Sequence, residues 1–246
     1  MEGARKRDHL RAYHLGDLQA SGTPVSQTET LRARDGHDFQ VYIAKPSGKA
    51  RGSVVIVQEI FGLTPWVLRT ADSYAADGYL TVAPALFDRV RRDLVLGYSP
   101  PEIEQAMGYR KQIETAKAVL DIAAAAAMVR HAGRVAVIGY CWGGTLTWAS
   151  ASELPLGAAV CYYGSGIGGL LPKVPTCPTL LHSGAQDRSI PVSDVDRIRG
   201  AFPQAAYHLY AAGHAFANDD RPDHYNADAT ALARTRTNAF LAQHIG

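Results

Sequence analysis

The sequence predicts an α/β fold in which helices flank a doubly wound, mostly parallel sheet. Helical patterns alternate with short apolar runs, and this alternation favours parallel strands joined by crossover helices. The runs are rich in β-branched residues, which is typical of strands covered on both faces: SVVIVQE, LTVAPAL, RVAVIGY, GAAVCYY and PTLLHSG. With 246 residues, of which 47% are hydrophobic, the chain can bury one large core, so we expect a single domain.

The remaining elements follow from local patterns. DFQVYIAKP alternates apolar and polar side chains, which predicts an antiparallel edge strand in a leading hairpin, and QAAYHLYA is the last predicted strand. We expect residues 1–30, whose periodicity is weak, to form an extension that wraps the surface or is partly mobile, ahead of an α/β domain over 31–246. Pro65 and Pro101 lie where helix starts tolerate proline. Helices are predicted over 64–77, 102–129, 143–152, 193–201 and 227–243.

Charge and cysteine content exclude several classes of protein. The formal net charge is +2, so no nucleic-acid partner is expected. Cys141, Cys161 and Cys177 are odd in number and lack the spacing of a zinc site. We therefore expect no disulfide framework, no metal and a reducing, cytoplasmic setting. The start lacks the apolar core of a secretory signal, and no run approaches the roughly 18 apolar residues of a membrane span. No cofactor motif is present.

The segment VIGYCWGGTL places Cys141 between Gly139 and Gly143, after a predicted strand and before a predicted helix. This G-x-C-x-G pattern is that of a nucleophile elbow with cysteine in the usual place of serine. Glycines on both sides let such a turn close, and the following helix N-terminus favours a thiolate. The alternative is a small buried core cysteine. That alternative fits Cys161 and Cys177 better, because neither has this setting.

A cysteine elbow needs a base and an orienting acid, in the chain order nucleophile, acid, histidine. Asp187 follows the strand PTLLHSG, and His214 follows the strand QAAYHLYA. Both lie beyond strand ends, where catalytic residues of open α/β sheets gather. Asp194 and Asp196, at a predicted helix start, remain alternatives for the acid. The other histidines are not placed beyond a suitable strand: His9, His14, His37, His131, His182, His208, His224 and His244.

Glu59 ends the strand SVVIVQ in apolar company. An exposed loop carboxylate is the ordinary interpretation of such a residue. Its position nevertheless matches the loop that supplies the second oxyanion-hole amide in hydrolases with a nucleophile elbow. A carboxylate at that place could act on the thiol of Cys141.

Over residues 30–245 the sequence resembles the dienelactone hydrolase family, also called carboxymethylenebutenolidases. The resemblance rests on QEIFG, VAPALFDR, GYCWGG, YYG, AQDRSIP and GHAFA. It implies the α/β-hydrolase fold and a triad of Cys141, His214 and Asp187. It also implies that Glu59 holds the resting thiol and takes its proton when substrate enters. The implied oxyanion hole consists of the backbone amides of Ile60 and Trp142, which would stabilise a developing oxyanion.

The resemblance also implies how substrate is held. Relatives that take dienelactone bind its carboxylate with two arginines. The first falls at Arg89, but the position of the second, four residues after His214, is Asn218. Asparagine cannot form the bidentate, charge-assisted contact of arginine. Arg221 is a possible replacement from the same loop, and Tyr163 of the YYG motif is the third predicted substrate-binding residue.

The predicted function is hydrolysis of a carboxylate-bearing, dienelactone-like lactone or ester through a thioester acyl-enzyme. Alternatives are another small ester or thioester as substrate, which Asn218 favours, and a noncatalytic binding protein, which an intact triad argues against. A thiol redox protein would need a resolving cysteine near Cys141, and none is near in sequence. We expect a small-molecule substrate, no membrane partner, and a monomer, with a dimer as the alternative.

Overall fold

A mixed eight-stranded sheet runs through the centre of the computed structural model, which describes residues 25–246. Its spatial order is β1-β2-β4-β3-β5-β6-β7-β8. The first two strands pair antiparallel with their neighbours, and every later pairing is parallel. The strands are β1 (Val25–Arg32), β2 (Asp38–Lys45), β3 (Ser53–Val57), β4 (Leu80–Pro84), β5 (Val135–Tyr140), β6 (Ala158–Tyr162), β7 (Thr179–Gly184) and β8 (Ala206–Tyr210).

Helices cover both faces of the sheet, which confirms the predicted doubly wound α/β fold. They are α1 (Pro65–Ala76), α2 (Pro100–Arg110), α3 (Thr115–Val129), α4 (Trp142–Glu153), α5 (Val192–Ala201) and α6 (Ala227–His244). On one face, α1 and α6 bury apolar residues against the sheet. On the other, α3, α4 and α5 do so. Within residues 25–246, no helix is long and apolar enough to cross a membrane.

The central strands contribute side chains to both apolar layers, because successive residues of a strand point to opposite faces. In β3, Val54 and Ile56 pack with α1, whereas Val55 and Val57 pack with α3. All four are fully buried. A strand that is apolar at every position therefore belongs in the interior of the sheet, where its carboxyl end opens into the crevice between the helical layers.

The predicted helix over 102–129 is wrong as one element, because the chain forms two helices there. α2 ends at Arg110, and α3 begins at Thr115 after Glu114 adopts an extended conformation. The intervening turn brings Ile113 into the apolar layer beneath α3. The segment between them, KQIE, contains neither glycine nor proline, so the break carries no sequence signal of the usual kind.

The leading antiparallel hairpin is confirmed, but its predicted edge strand is not at the edge. DFQVYIAKP forms β2, which pairs with β4 on one side and with β1 on the other. β1 is the edge strand and is largely exposed and polar, with the sequence VSQTETLR. Since β1 begins at Val25, the sheet includes the last residues of the predicted extension over 1–30. Residues 1–24 of that extension lie outside the described residues.

Candidate active site

The structure brings Glu59, Cys141, Asp187 and His214 together at the carboxyl ends of the parallel strands. Glu59 follows β3, and Cys141 follows β5 directly. Asp187 lies three residues beyond β7, and His214 lies four residues beyond β8. These strands are neighbours or near neighbours in one sheet, so residues far apart in sequence meet in one crevice, as is general for open α/β sheets.

Cys141 occupies a sharp turn between β5 and α4, as the nucleophile-elbow pattern predicts. Its backbone has φ 56° and ψ −118°, a conformation that side-chain-bearing residues rarely adopt. The flanking glycines are required by close packing. A Cβ atom at Gly139 would collide with the carbonyl of Gly143, and one at Gly143 would collide with the carbonyl of Val57. The two glycines thus allow α4 to start against the end of β3.

The side chains of Cys141, His214 and Asp187 form a continuous hydrogen-bonded line. His214 Nε2 lies 3.2 Å from Cys141 Sγ, and His214 Nδ1 lies 2.7 Å from Asp187 Oδ2. The other carboxylate oxygen of Asp187 accepts from the backbone N–H of Ser189 at 2.8 Å. Asp187 therefore orients the imidazole so that its second nitrogen faces the sulfur.

The surroundings of His214 favour its charged form. Burial lowers the pKa of this imidazole, but hydrogen bonds to Asp187 and Cys141, together with their negative charges, outweigh it and raise the pKa to about 10. The thiol of Cys141 also lies at the N-terminus of α4, where the helix dipole favours negative charge. The arrangement is therefore suited to a thiolate–imidazolium pair.

The alternatives to Asp187 and His214 lie elsewhere. Asp194 pairs with Arg197 one turn along α5 at 3.0 Å, and Asp196 is exposed. His182 is fully buried within the sheet, where it contacts the hydroxyls of Tyr210 and Thr237. Burial lowers the pKa of His182 well below its usual value.

Glu59 is buried in the crevice, with a side chain only 2% exposed. Its Oε2 accepts a hydrogen bond from Asn218 Nδ2 at 2.7 Å. Burial raises the pKa of this carboxyl, although the Asn218 hydrogen bond and the charge of Arg221 oppose that effect. The buried Gln58 fixes the loop by donating to the Glu59 carbonyl and accepting from the Leu86 N–H, both at 3.2 Å.

The predicted oxyanion-hole amides belong to the same two turns. Ile60 follows Glu59, and Trp142 is the first residue of α4. Among the hydrogen bonds within residues 25–246, neither amide donates to a backbone carbonyl or a side chain. Both N–H groups are therefore without a protein acceptor among the described residues, and their role as an oxyanion hole stays a prediction.

The structure does not support Arg89 as the anchor of a substrate carboxylate. Its guanidinium donates to both carboxylate oxygens of Asp121, each at 2.7 Å, and to Asp35 at 3.0 Å. Only 10% of its side chain is exposed, and that of Asp121 is fully buried. Arg89 is thus committed to the protein's own carboxylates and ties the turn after β4 to α3 and to the β1–β2 hairpin.

Asn218 and Tyr163 lie in the site, but they are buried rather than displayed on its surface. Asn218 is fully buried and donates to Glu59 and, at 3.2 Å, to Tyr98 Oη. It therefore holds the protein's own acid, and its predicted role in substrate binding stays a prediction. Tyr163 is also fully buried, with its ring 5.1 Å from that of His214. Burial and the nearby Glu59 and Cys141 raise the pKa of Tyr163.

Sequence reasoning missed Tyr98 and Gln58 and left Arg221 undecided. The Arg221 guanidinium lies 5.5 Å from the ring centre of Phe61 and 5.3 Å from that of Tyr98. Its hydrogen bond within the described chain goes to His224 Nε2 at 3.1 Å. The tyrosine lies in a turn far from every catalytic motif, so its place in the site carried no local signal. Within residues 25–246, no three His, Cys, Asp or Glu side chains are grouped to hold a metal ion.

The geometry can be compared with known proteins. A family model described as the dienelactone hydrolase family matches residues 39–245. The chain belongs to the dienelactone hydrolase family. This confirms the resemblance drawn from its motifs, and with it the α/β-hydrolase fold. Membership in this family makes the chain a carboxylic ester hydrolase.

Individual dienelactone hydrolase relatives match nearly the whole chain. Carboxymethylenebutenolidase 1 of Cupriavidus pinatubonensis is 32% identical over 228 residues, covering 89% of this chain and 97% of the relative. Carboxymethylenebutenolidase of Pseudomonas putida is 34% identical over 224 residues, covering 87% and 94%. The crystal structure of a proposed dienelactone hydrolase from Klebsiella pneumoniae subsp. pneumoniae superposes with a TM-score of 0.77 at 27% identity, covering 89% of this chain and 99% of that one.

Proposed function

We propose that this member of the dienelactone hydrolase family cleaves a small lactone or ester through a Cys141–His214–Asp187 triad and a thioester acyl-enzyme. The observation that carries the proposal is the line of contacts from Sγ to Nε2 and from Nδ1 to the buried carboxylate of Asp187. The chemistry needs a sulfur nucleophile, a proton carrier beside it and an acid that orients the carrier. Cys141, His214 and Asp187 supply these three groups, and each contacts the next.

In the first half of the reaction, the Cys141 thiolate attacks the substrate carbonyl and forms a C–S bond. The oxyanion that develops accepts hydrogen bonds from the Ile60 and Trp142 amides. When the C–O bond of the ester breaks, the imidazolium of His214 gives its Nε2 proton to the leaving oxygen. The product of this half-reaction is a thioester on Cys141 with a neutral His214.

In the second half, neutral His214 removes a proton from a water molecule, which attacks the thioester carbonyl. The C–S bond breaks, the carboxylic acid product leaves, and the thiolate is regenerated beside the imidazolium. In the resting enzyme Glu59 holds the Cys141 thiol, and it takes the thiol proton when substrate enters, as the family resemblance implies. Its burial close to this cluster supports that role.

Replacing Cys141 tests the nucleophile. We expect C141A to lose nearly all hydrolysis of a small lactone such as dihydrocoumarin, because no acyl-enzyme can form. Mass spectrometry of the unmodified protein, quenched during turnover and then digested, should show an acyl adduct on the peptide containing Cys141. C177A is the matched control, because Cys177 is buried away from the crevice. Substantial turnover by folded C141A would refute the triad.

We further propose that the substrate carries a carboxylate and that Arg221 contacts it. Two aromatic rings hold the guanidinium at the crevice. His224 Nε2 accepts a hydrogen bond from Arg221, because a guanidinium only donates. An imidazole carries no negative charge, so this bond does not neutralise the charge of Arg221. Arg89, by contrast, already faces two carboxylates. Arg221 is thus the better placed of the two cations to bind an anionic group of the substrate.

The specificity constant kcat/KM for a carboxylate-bearing lactone, divided by that for its methyl ester, tests this assignment. We expect Arg221→Met to lower the ratio about ten- to a hundredfold, because a charge-assisted hydrogen bond contributes roughly 1.5–3 kcal/mol. Arg69→Met is the control, since Arg69 pairs with Asp219 and Asp220 on the same loop. Equal handling of both substrates by the unmodified enzyme would favour the alternative substrates, namely another small ester or a thioester.

We expect the protein to act on small molecules as a monomer, with a dimer as the alternative. Its near-neutral net charge of +2 favours neither a nucleic acid nor a membrane surface as partner. Light scattering of the purified chain would measure the oligomeric state directly.

A further inference from the structure

The amide of Asn218 is fixed in one orientation at the centre of the candidate site. Its Oδ1 accepts from the backbone N–H of Asp220 at 3.0 Å, and its Nδ2 donates to Glu59 Oε2 at 2.7 Å and to Tyr98 Oη at 3.2 Å. Exchanging the oxygen and nitrogen would set two donors against each other at Asp220. The side chain is fully buried, so each of its bonds is needed to satisfy it.

The two oxygens of Glu59 are therefore not equivalent. Oε2 receives an N–H donor from Asn218. Oε1 is buried and has no hydrogen-bond partner among residues 25–246. An oxygen that accepts a hydrogen bond from an amide is the poorer site for a proton, because the carbonyl oxygen of a neutral carboxyl is a better acceptor than its hydroxyl oxygen, so the donor favours the carbonyl form of Oε2.

Several charged or titratable groups act on this carboxyl. Arg221 and His214 approach it from the loop after β8, and both lower its pKa, whereas burial raises it more strongly. Tyr98 accepts a hydrogen bond from the same Asn218 amide nitrogen that donates to Glu59. Tyr163, on the turn after β6, also lowers the pKa of Glu59 through its hydroxyl, which has no other partner among residues 25–246. Burial and the negative charges of Glu59 and Cys141 raise the pKa of Tyr163 in turn.

We propose that Asn218 is a positioning residue that confines the proton of Glu59 to Oε1. This inference rests on the proposed function, because it concerns the acid that takes the thiol proton. When Cys141 is deprotonated, its S–H bond breaks and an O–H bond forms at Oε1, leaving a thiolate and a neutral Glu59. The reverse transfer restores the thiol.

Relatives that take dienelactone have an arginine where this chain has Asn218, and the missing positive charge explains why Glu59 can hold a proton. An arginine at this position would add a positive charge beside Glu59 and favour the ionised carboxylate. Asn218 supplies one uncharged donor to Glu59 and one to Tyr98, so the carboxyl remains able to take up a proton. The loop that carries His214 thus also carries Asn218, four residues farther along the chain. Through Asn218 this loop determines which oxygen of Glu59 takes the proton.

Isotope-edited infrared spectroscopy tests the oxygen assignment directly. In protein carrying 13C-labelled glutamate, the C=O stretch of protonated Glu59 is identified by its loss in E59Q. With the proton on Oε1, the C=O bond is that of Oε2, which accepts from Asn218. We expect Asn218→Leu to move this stretch to higher frequency, because the carbonyl loses its donor. An unchanged frequency in a folded N218L protein, or a band absent from the unmodified protein at every pH, would overturn the proposal.

The rate of Cys141 alkylation by iodoacetamide, followed against pH, gives a second measurement that does not require Leu at this position. Asn218→Asp places a second carboxyl against Glu59, and the added negative charge disfavours ionisation of the carboxyl pair and formation of the Cys141 thiolate. We expect the midpoint of the alkylation profile to move up by about one pH unit or more. Asn238→Asp is the matched control, because Asn238 donates to Asp77 at 3.1 Å outside the site.

The two proposals fail in different ways. Coincident alkylation profiles for N218D, N238D and the unmodified protein would overturn the role of Asn218 and leave the triad untouched. Hydrolysis that persists in C141A would overturn the triad, whereas the infrared shift in N218L would still report on Glu59.

Discussion

Cys141 joins a reactive side chain to a strained backbone, with φ 56° and ψ −118°. Two further residues of the crevice, Tyr163 and Ala215, also have positive φ, whereas Asp93 is the other non-glycine example within residues 25–246. Strain of this kind costs about 1–3 kcal/mol per residue and persists only where the surrounding structure imposes it. Its concentration around the sulfur supports the view that the turn is shaped for chemistry rather than for stability.

Glycine at position 141 should relieve this strain. We expect C141G to be more stable to urea than C141A by about 1 kcal/mol, because the strain relieved, about 1–3 kcal/mol, exceeds the roughly 0.4–1 kcal/mol lost to the freer unfolded chain. Both variants lack the thiol, so their difference reports on the backbone and on one methyl group. Equal unfolding midpoints and slopes for the two would show that the turn stores no strain.

Individual residues were predictable where a local pattern accompanied them. Cys141 lies between two glycines, and Asp187 and His214 each follow a strand, so the sequence predicted that they would meet. The contacts of Arg89 and Asn218 were not predictable in this way. Arg89 pairs with residues 54 positions before it and 32 positions after it, and no local pattern encodes such partners.

At the scale of elements, the Arg89 ion pairs connect three separate segments. They join the turn after β4, the middle of α3 and the β1–β2 hairpin. Burial raises the pKa of Asp121 to about 6, although Arg89 acts to lower it. Because this value exceeds the ordinary 3.8 of the unfolded chain, the charge of Asp121 reduces stability progressively as pH rises from 3.8 through about 6. Above that range the fold depends on Arg89.

Arg89→Leu should therefore destabilise the protein in a pH-dependent way. Above pH 6 we expect a loss of about 3–5 kcal/mol, because a buried carboxylate is left without its partner. Because Arg89 acts to lower the pKa of Asp121, that pKa lies above 6 in the variant, so the loss should grow as pH rises above about 6 and level off below it, where Asp121 is protonated in both folded proteins. Urea unfolding across this range measures it, with Arg32→Leu, which breaks the exposed pair with Asp38, as the control. A substrate-binding Arg89 would instead change the preference for anionic lactones at constant stability.

Elements with strong apolar periodicity were predictable, and those without it were not. The buried strands β3 to β7 are short, mostly apolar runs, so their existence followed from composition. β1 has mostly exposed, polar side chains and is held by its pairing with β2 rather than by burial. The break between α2 and α3 depends on tertiary packing of Ile113, which a helical pattern cannot reveal.

At the scale of the whole molecule, the site exists only when the parallel strands are assembled. Glu59, Cys141, Asp187 and His214 come from the ends of four different strands in one sheet. None of them is held in place by sequence neighbours alone. The doubly wound topology was predictable in outline, because parallel strands with crossover helices place all these ends in one crevice, whereas the order of the strands in the sheet was not predicted.

This assembly makes the three thiols of the chain a natural reporter of its folding state. Cys161 and Cys177 are buried, and burial raises the pKa of both, so they become modifiable only when the chain opens. Cys141 reacts instead in the folded chain, because His214 lies beside it only in the assembled sheet. A brief pulse of a thiol-reactive label therefore marks native molecules at one cysteine and opened molecules at the other two.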